Sequence, residues 1–141
     1  MKRLLLIVLP LLLIVGCSEV EGQQQQLIPV VTTYKDGNIS GITYHKKTQN
    51  GIQKVKEEGY FGNVHGQKKY EGTFKNDLKD GKWTEWRING QKSYEGTYKD
   101  GELDGLETRW YNNGQKKYEW NFKVGKRISF KEWNEDGSVK E

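Results

Sequence analysis

The groups in this chain best suited to acid–base or thiol chemistry are two histidines, His45 and His65, one cysteine, Cys17, and 19 Asp and Glu side chains. A hydrolase or transferase needs such groups to converge, with a nucleophile beside a base and the base held by a third group. The sequence contains no G-x-S-x-G, no H-E-x-x-H and no phosphate-binding glycine loop. His45 and His65 stand in different copies of a repeated unit, and most carboxylates recur with that unit or sit beside turn glycines. A catalytic acid and base form one pair, not a copied one, so the pattern predicts architecture, with no enzyme activity and no cofactor. Asp100-Gly101-Glu102-Leu103-Asp104-Gly105 opens like a calcium loop, but Tyr111 occupies the twelfth position where a bidentate Glu is needed, so no metal site is expected.

Binding chemistry is better supplied, by five tryptophans. Trp86 and Trp110 share one position of the repeat, with Trp133 displaced by one residue, and repetition marks all three as sheet-packing side chains. Trp83 and Trp120 are singular, so they are the candidates for a partner surface or an end cap. Two partner classes fit exposed rings: another protein, or an envelope glycan stacked on aromatic platforms.

The elements that position these side chains follow from the repeat. Gly66, Gly90, Gly114 and Gly137 begin related segments 24, 24 and 23 residues apart. The copies read GQKKYEGTFKNDLKDGKWTEWRIN, GQKSYEGTYKDGELDGLETRWYNN and GQKKYEWNFKVGKRISFKEWNED. Tyr34 to Gly51 matches Tyr98 to Gly114 if one insertion is allowed, and Glu58-Gly59-Tyr60-Phe61 mirrors Glu71-Gly72-Thr73-Phe74 as a shortened copy. Within the copies, Tyr70, Gly72 and Phe74, Tyr94, Gly96 and Tyr98, and Tyr118, Trp120 and Phe122 alternate with polar residues, the period of a strand with one sheltered face. No helical period survives. The expected fold is all-β: an antiparallel meander of repeated hairpins in a single curled sheet. Asn50-Gly51, Asn89-Gly90, Asn113-Gly114 and Asp136-Gly137 are read as type I′ turns. A second, less regular reversal is delimited by Asp100-Gly101 and Asp104-Gly105, echoed by Asp80-Gly81 and Asp36-Gly37. If it is a two-residue turn after Lys99, Trp110 faces away from Tyr98; a longer loop frees that parity.

Hydrophobic residues make up only 33% of the chain, while the 5 Trp, 8 Tyr and 4 Phe all follow Cys17. Rings must therefore substitute for aliphatic bulk, and strand glycines such as Gly72 and Gly96 leave slots over which a cross-strand ring can lie. Gly96→Val is expected to cost more stability than Thr97→Val.

The spacing Y-E-G-x-[aromatic]-K-[D/N]-G-x-x-D-G, closest at Tyr94 to Gly105, resembles the MORN repeat. The fuller unit with its W-Y-x-N-G ending is similar to the bacterial variant of the YwqK-type antitoxin family. The resemblance runs from about Tyr34 to Gly137, with departures at Asp77 in the place of Gly101, at Trp120 in the place of Gly72 and Gly96, and in a final copy one residue short. It implies a non-catalytic protein-binding scaffold, with an antitoxin or immunity role and a toxin as partner.

Ahead of the repeats, Lys2 and Arg3 precede an apolar run, Leu4 to Val15, that is too short to span a bilayer and reads as a signal peptide over residues 1–16. Ile14-Val15-Gly16-Cys17 resembles a bacterial lipobox, which implies a lipid on Cys17; an ordinary signal peptide or a buried thiol is the alternative. A single cysteine excludes a disulfide framework. Residues 17–29, with Gln23 to Gln26, read as a flexible tether, and 30–141 as the repeat domain. Removing Lys2 and Arg3 from the 23 basic side chains leaves 21 against 19 acidic ones, a net charge of +2. Interspersed charges of that kind predict no nucleic-acid partner and leave the lipid to hold the domain at the membrane, in the cell envelope. Oligomeric state and the choice of inner or outer membrane are not encoded in any motif.

Overall fold

A computed structural model describes residues 26–63 and 66–141. Cys17, the expected signal peptide over residues 1–16, Gln23 to Gln25 and His65 lie outside the described residues. The described chain forms nine strands: β1 (Ile28–Thr33), β2 (Ile39–Thr48), β3 (Gly51–Tyr60), β4 (Lys68–Lys75), β5 (Leu78–Trp86), β6 (Lys92–Lys99), β7 (Glu102–Trp110), β8 (Lys116–Lys123) and β9 (Lys126–Glu132). They lie side by side in sequence order, every neighbour antiparallel, in one open sheet. This is the meander of hairpins the repeat predicts. It starts earlier than expected, because Ile28 and Pro29 belong to β1 and not to the tether. Pro29 is tolerated there because β1 is an edge strand, where a missing N–H need not break the ladder.

The two kinds of reversal are exchanged relative to the sequence reading. The turns with φ positive at both central residues, the type I′ geometry, are Asn76-Asp77 (51°, 62°), Asp100-Gly101 (50°, 89°) and Val124-Gly125 (48°, 67°). Each is a two-residue turn, closing Lys75 on Leu78, Lys99 on Glu102 and Lys123 on Lys126. Asp36-Gly37, Asn89-Gly90, Asn113-Gly114 and Asp136-Gly137 lie instead in three-residue loops, a type I turn followed by a left-handed glycine, while Asp80-Gly81 and Asp104-Gly105 are not reversals at all but lie inside β5 and β7. Gly90 N–H donates to Arg87 O at 2.9 Å and Arg87 N–H to Gln91 O at 2.8 Å, and the pattern recurs at Gly37, Gly114 and Gly137. The loop Asx side chain makes this form the better one: Asn89 Oδ1 accepts the Gln91 N–H, as Asn113 Oδ1 accepts from Gln115 and Asp136 Oδ1 from Ser138. At Thr48↔Gly51 the turn residues are Gln49 and Asn50, so Asn50-Gly51 is not a central pair either.

Because the reversal after Lys99 has two residues, Trp110 stands on the face opposite Tyr98. The irregularity deeper in that hairpin, where Gly96 pairs Glu107 but Tyr98 pairs Leu103, inserts an even number of residues and keeps the parity. Glu58-Gly59-Tyr60-Phe61 also changes place. It belongs to the trailing strand β3, with Gly59 paired to Tyr70, so its structural counterpart is Thr84-Glu85-Trp86-Arg87. The Phe61 N–H donates to Gln67 O as Arg87 N–H does to Gln91 O, which fixes that equivalence.

Both rims of the sheet are stitched from hairpin to hairpin. Along one, Gly101 N–H donates to Lys79 O and Gly125 N–H to Leu103 O, both at 2.9 Å. Along the other, Gln67 Nε2 donates to Arg87 O, Arg87 Nη2 to Trp110 O and Tyr111 Oη to Trp133 O. Cross-strand pairing assigns the two faces. Tyr70, Trp83, Tyr94, Trp120 and Phe130 stand on one, and Glu58, Glu71, Thr84, Glu95, Thr108 and Glu119 on the other.

Candidate functional site

The aromatic face is built by glycine–ring pairing. Gly72 lies opposite Trp83, and a Cβ at Gly72 would overlap the six-membered ring; Gly59 is likewise covered by Tyr70. Over Gly96 the covering group is the hydroxyl of Tyr94 on its own strand, flanked by Leu103, and not a ring from across the ladder. Trp83 is 8% exposed, the one buried apolar side chain among the described residues. Tyr70 stacks on it at 5.4 Å, Phe74 meets it edge-on at 6.0 Å, and Lys79 Nζ sits 3.5 Å above the ring centroid. Trp83 is therefore corrected from a partner-surface candidate to an interior residue. A singular ring in the repeat marks the one place where an interior is assembled, because the slot beneath it is vacant.

Trp120 stands where Gly72 and Gly96 stand in the other copies, and its ring leans on Tyr118 at 4.8 Å and Phe130 at 5.6 Å. Its indole N–H is buried without a hydrogen-bond partner among the described residues. The cluster lies at the β9 end of the sheet, where Phe130 is 52% exposed. Tyr98 shares a hydroxyl hydrogen bond with Tyr94 at 2.7 Å, and Phe122 pairs with Arg127 on the same aromatic face. Trp86, Trp110 and Trp133 line the end of the opposite face. Trp86 pairs with Lys92 and Trp110 with Lys116, and the ammonium of Lys116 lies 5.4 Å from the Trp133 ring.

The opposite face holds the ionic groups, several of which sequence reasoning missed. Glu58 is 5% exposed and accepts hydrogen bonds from Lys56 (2.7 Å), Lys68 (2.9 Å), Tyr60 (2.7 Å) and Tyr44 (3.1 Å). Burial works to raise its pKa, but the lysine and tyrosine donors prevail and hold the carboxyl at about 2. Burial, together with the same contact, pushes the Tyr60 hydroxyl up to about 12. Lys–Glu pairs three residues apart recur at Lys68–Glu71, Lys92–Glu95 and Lys116–Glu119, each at 2.6 Å. In a regular strand residues three apart point to opposite faces. The register shifts after Gly59, Glu85 and Arg109 turn each Lys onto the face of its Glu. On the aromatic face, Glu107 is 5% exposed and accepts the Arg109 Nε–H at 3.0 Å, occupying the row that Trp83 and Phe130 fill elsewhere. Singularity within the repeat was the available signal for Glu107 and Arg109; nothing in the sequence marks Glu58, whose partners come from three strands.

No group of three or more His, Cys, Asp and Glu side chains converges among the described residues. Cys17, the expected lipid site, lies outside them. What the described residues present is two patterned faces and two edge strands. The MORN repeat family model matches residues 70–82 and 94–116, within the central hairpins of the sheet. No curated protein and no solved structure matches the chain.

Proposed function

We propose that this protein is a non-catalytic scaffold, anchored to a bacterial membrane through lipid on Cys17, that binds another protein on the exported side. One observation carries the reading: among the described residues, a nine-strand sheet stitched along both rims leaves both faces, the outer side of β1 and most of the outer side of β9 without a covering element. MORN repeats are often protein- or membrane-binding modules, which agrees with that use. The finer role is that of an antitoxin or immunity lipoprotein intercepting a toxin at the membrane. Affinity capture from cells with the full chain in detergent tests it. Recovery of a co-encoded exported protein in stoichiometric complex is expected, and a chain that captures none would overturn the role. Cys17→Ala is expected to release the protein from the membrane fraction; an unchanged distribution would remove the lipid from the account.

The stacked Tyr118, Trp120 and Phe130 rings favour a second reading, an envelope glycan module. Sedimentation with peptidoglycan separates the two: Trp120→Ala weakens it if the rings form a glycan platform and leaves it unchanged if they do not. Trp83→Ala is unsuited to this test because that ring is interior.

A further inference from the structure

We propose that the outer edge of β9 is a docking strand for an extended acidic segment of a partner protein, which adds to the sheet as a tenth strand. The proposal rests on the protein-binding reading and names its surface. β9 ends the strand order, and from Lys126 to Lys131 nothing among the described residues pairs with its outer side. At the far end the chain itself has begun to fill that position: Trp133 bridges to Val139, and the Lys140 N–H donates to Glu132 O at 2.9 Å. The strip between that bridge and the Val124-Gly125 turn is a strand edge interrupted by one extra residue at Ile128, where Ser129 pairs Asn121 and Arg127 pairs Phe122, and its outward N–H and C=O groups are unpaired among the described residues.

The side chains on this strip state the chemistry of its occupant. Lys126, Arg127 and Lys131 have no ion-pair partner among the described residues, and the strand's one carboxylate, Glu132, is held by Lys140. Ile128 and Phe130 are 62% and 52% exposed. Basic side chains on an edge repel stray strands, but they attract one that carries carboxylates at matching positions. A lipid surface would answer the charge and the apolar side chains but offers no ladder of backbone partners in register with a strand edge. A second copy fits no better. β9 against β9 opposes like charges, and β1, Ile-Pro-Val-Val-Thr-Thr, brings no carboxylate and lacks the N–H of Pro29. An extended segment carrying both acidic and apolar side chains satisfies the backbone, the rings and the charges together, with carboxylates beside Lys126 and Lys131 on one face and an apolar group beside Phe130 on the other.

Two labelled peptides, one of alternating Val and Glu and one of alternating Val and Lys, would be titrated into the full chain in neutral detergent. Fluorescence anisotropy reads affinity, and amide hydrogen exchange reads the location. The acidic peptide is expected to bind about tenfold more tightly than the basic one and to protect amides within residues 126–131. Arg127→Glu with Lys131→Glu, both at exposed positions, should reverse the preference while circular dichroism stays unchanged. Equal affinity for both peptides, no binding of either, or a preference that survives the double variant would overturn the proposal. Protection elsewhere on the sheet would also overturn it, while leaving the scaffold reading to the capture experiment. Anionic vesicles that bind in a manner sensitive to the double variant without protecting β9 would assign the strip to lipid, and concentration-dependent protection without peptide would assign it to a second copy.

Discussion

Gly72 and Glu58 answer the same shortage of apolar bulk in opposite ways. Gly72 contributes nothing but space, and Trp83 fills it; Glu58 is buried because two lysines and two tyrosines replace the water it loses. Its carboxyl, lowered from 4.5 to about 2, favours the folded state wherever it is ionised, and that contribution is lost as pH falls from 4.5 towards 2. A shift of this size is up to about 3 kcal/mol before screening by solvent at the lysines. Glu58→Gln should therefore be less stable than the parent at pH 7, with the gap closing towards pH 2; urea unfolding across that range checks it, and a constant gap would rule out the ionised hub. At Gly96 a side chain would overlap the Tyr94 hydroxyl and press on Leu103. Gly96→Val should cost about 1–3 kcal/mol by overpacking, against a smaller change for the exposed Thr97→Val, and equal melting temperatures for the two would contradict the packing. The glycine row was legible in the sequence because it repeats with the strand period. Glu58 was not legible, since a hub drawn from three strands and a register shift leaves no local pattern.

At the scale of elements, strand identity followed from the alternation of rings with polar residues, while turn type, and with it the relative face of Trp110 and Tyr98, did not. Asn-Gly serves equally as the centre of a type I′ turn or as the end of a three-residue loop, since both need a left-handed glycine. The deciding factor is the Asx oxygen capturing the N–H two residues on, a contact with no sequence signature of its own. The real type I′ turns were obscured because Asn76-Asp77 and Val124-Gly125 lack the usual residues. Val124 holds φ at 48° with a β-branched side chain that is 63% exposed, so it carries backbone strain and little packing. Val124→Asn is expected to raise stability by about 1 kcal/mol, measured as a shift of the urea midpoint at constant slope; a lowered midpoint would show that the valine is doing unseen packing.

For the molecule as a whole, a sheet whose strands touch only their sequence neighbours should behave as an array, with units that can be removed if the new neighbours fit. Deleting residues 68–91 joins Gln67 to Lys92 and sets Gly59 opposite Tyr94 where it now faces Tyr70, a conservative exchange. Deleting residues 92–115 joins Gln91 to Lys116 and sets Trp83 opposite Trp120 where it now faces Gly96. The first variant is expected to unfold cooperatively with a urea slope reduced in proportion to the strands lost, and the second to be much less stable or aggregated. Equal stability of the two would show that glycine slots do not govern strand order. The same ring in glycine's slot has a consequence for how such a chain can grow. Duplication of a unit is harmless wherever a vacant slot meets a bulky neighbour, so new copies can be accepted ahead of β8, whereas beyond it Trp120 has closed the template. Lengthening is thus directed inward, and the basic final strand stays at the boundary through every expansion or contraction of the series.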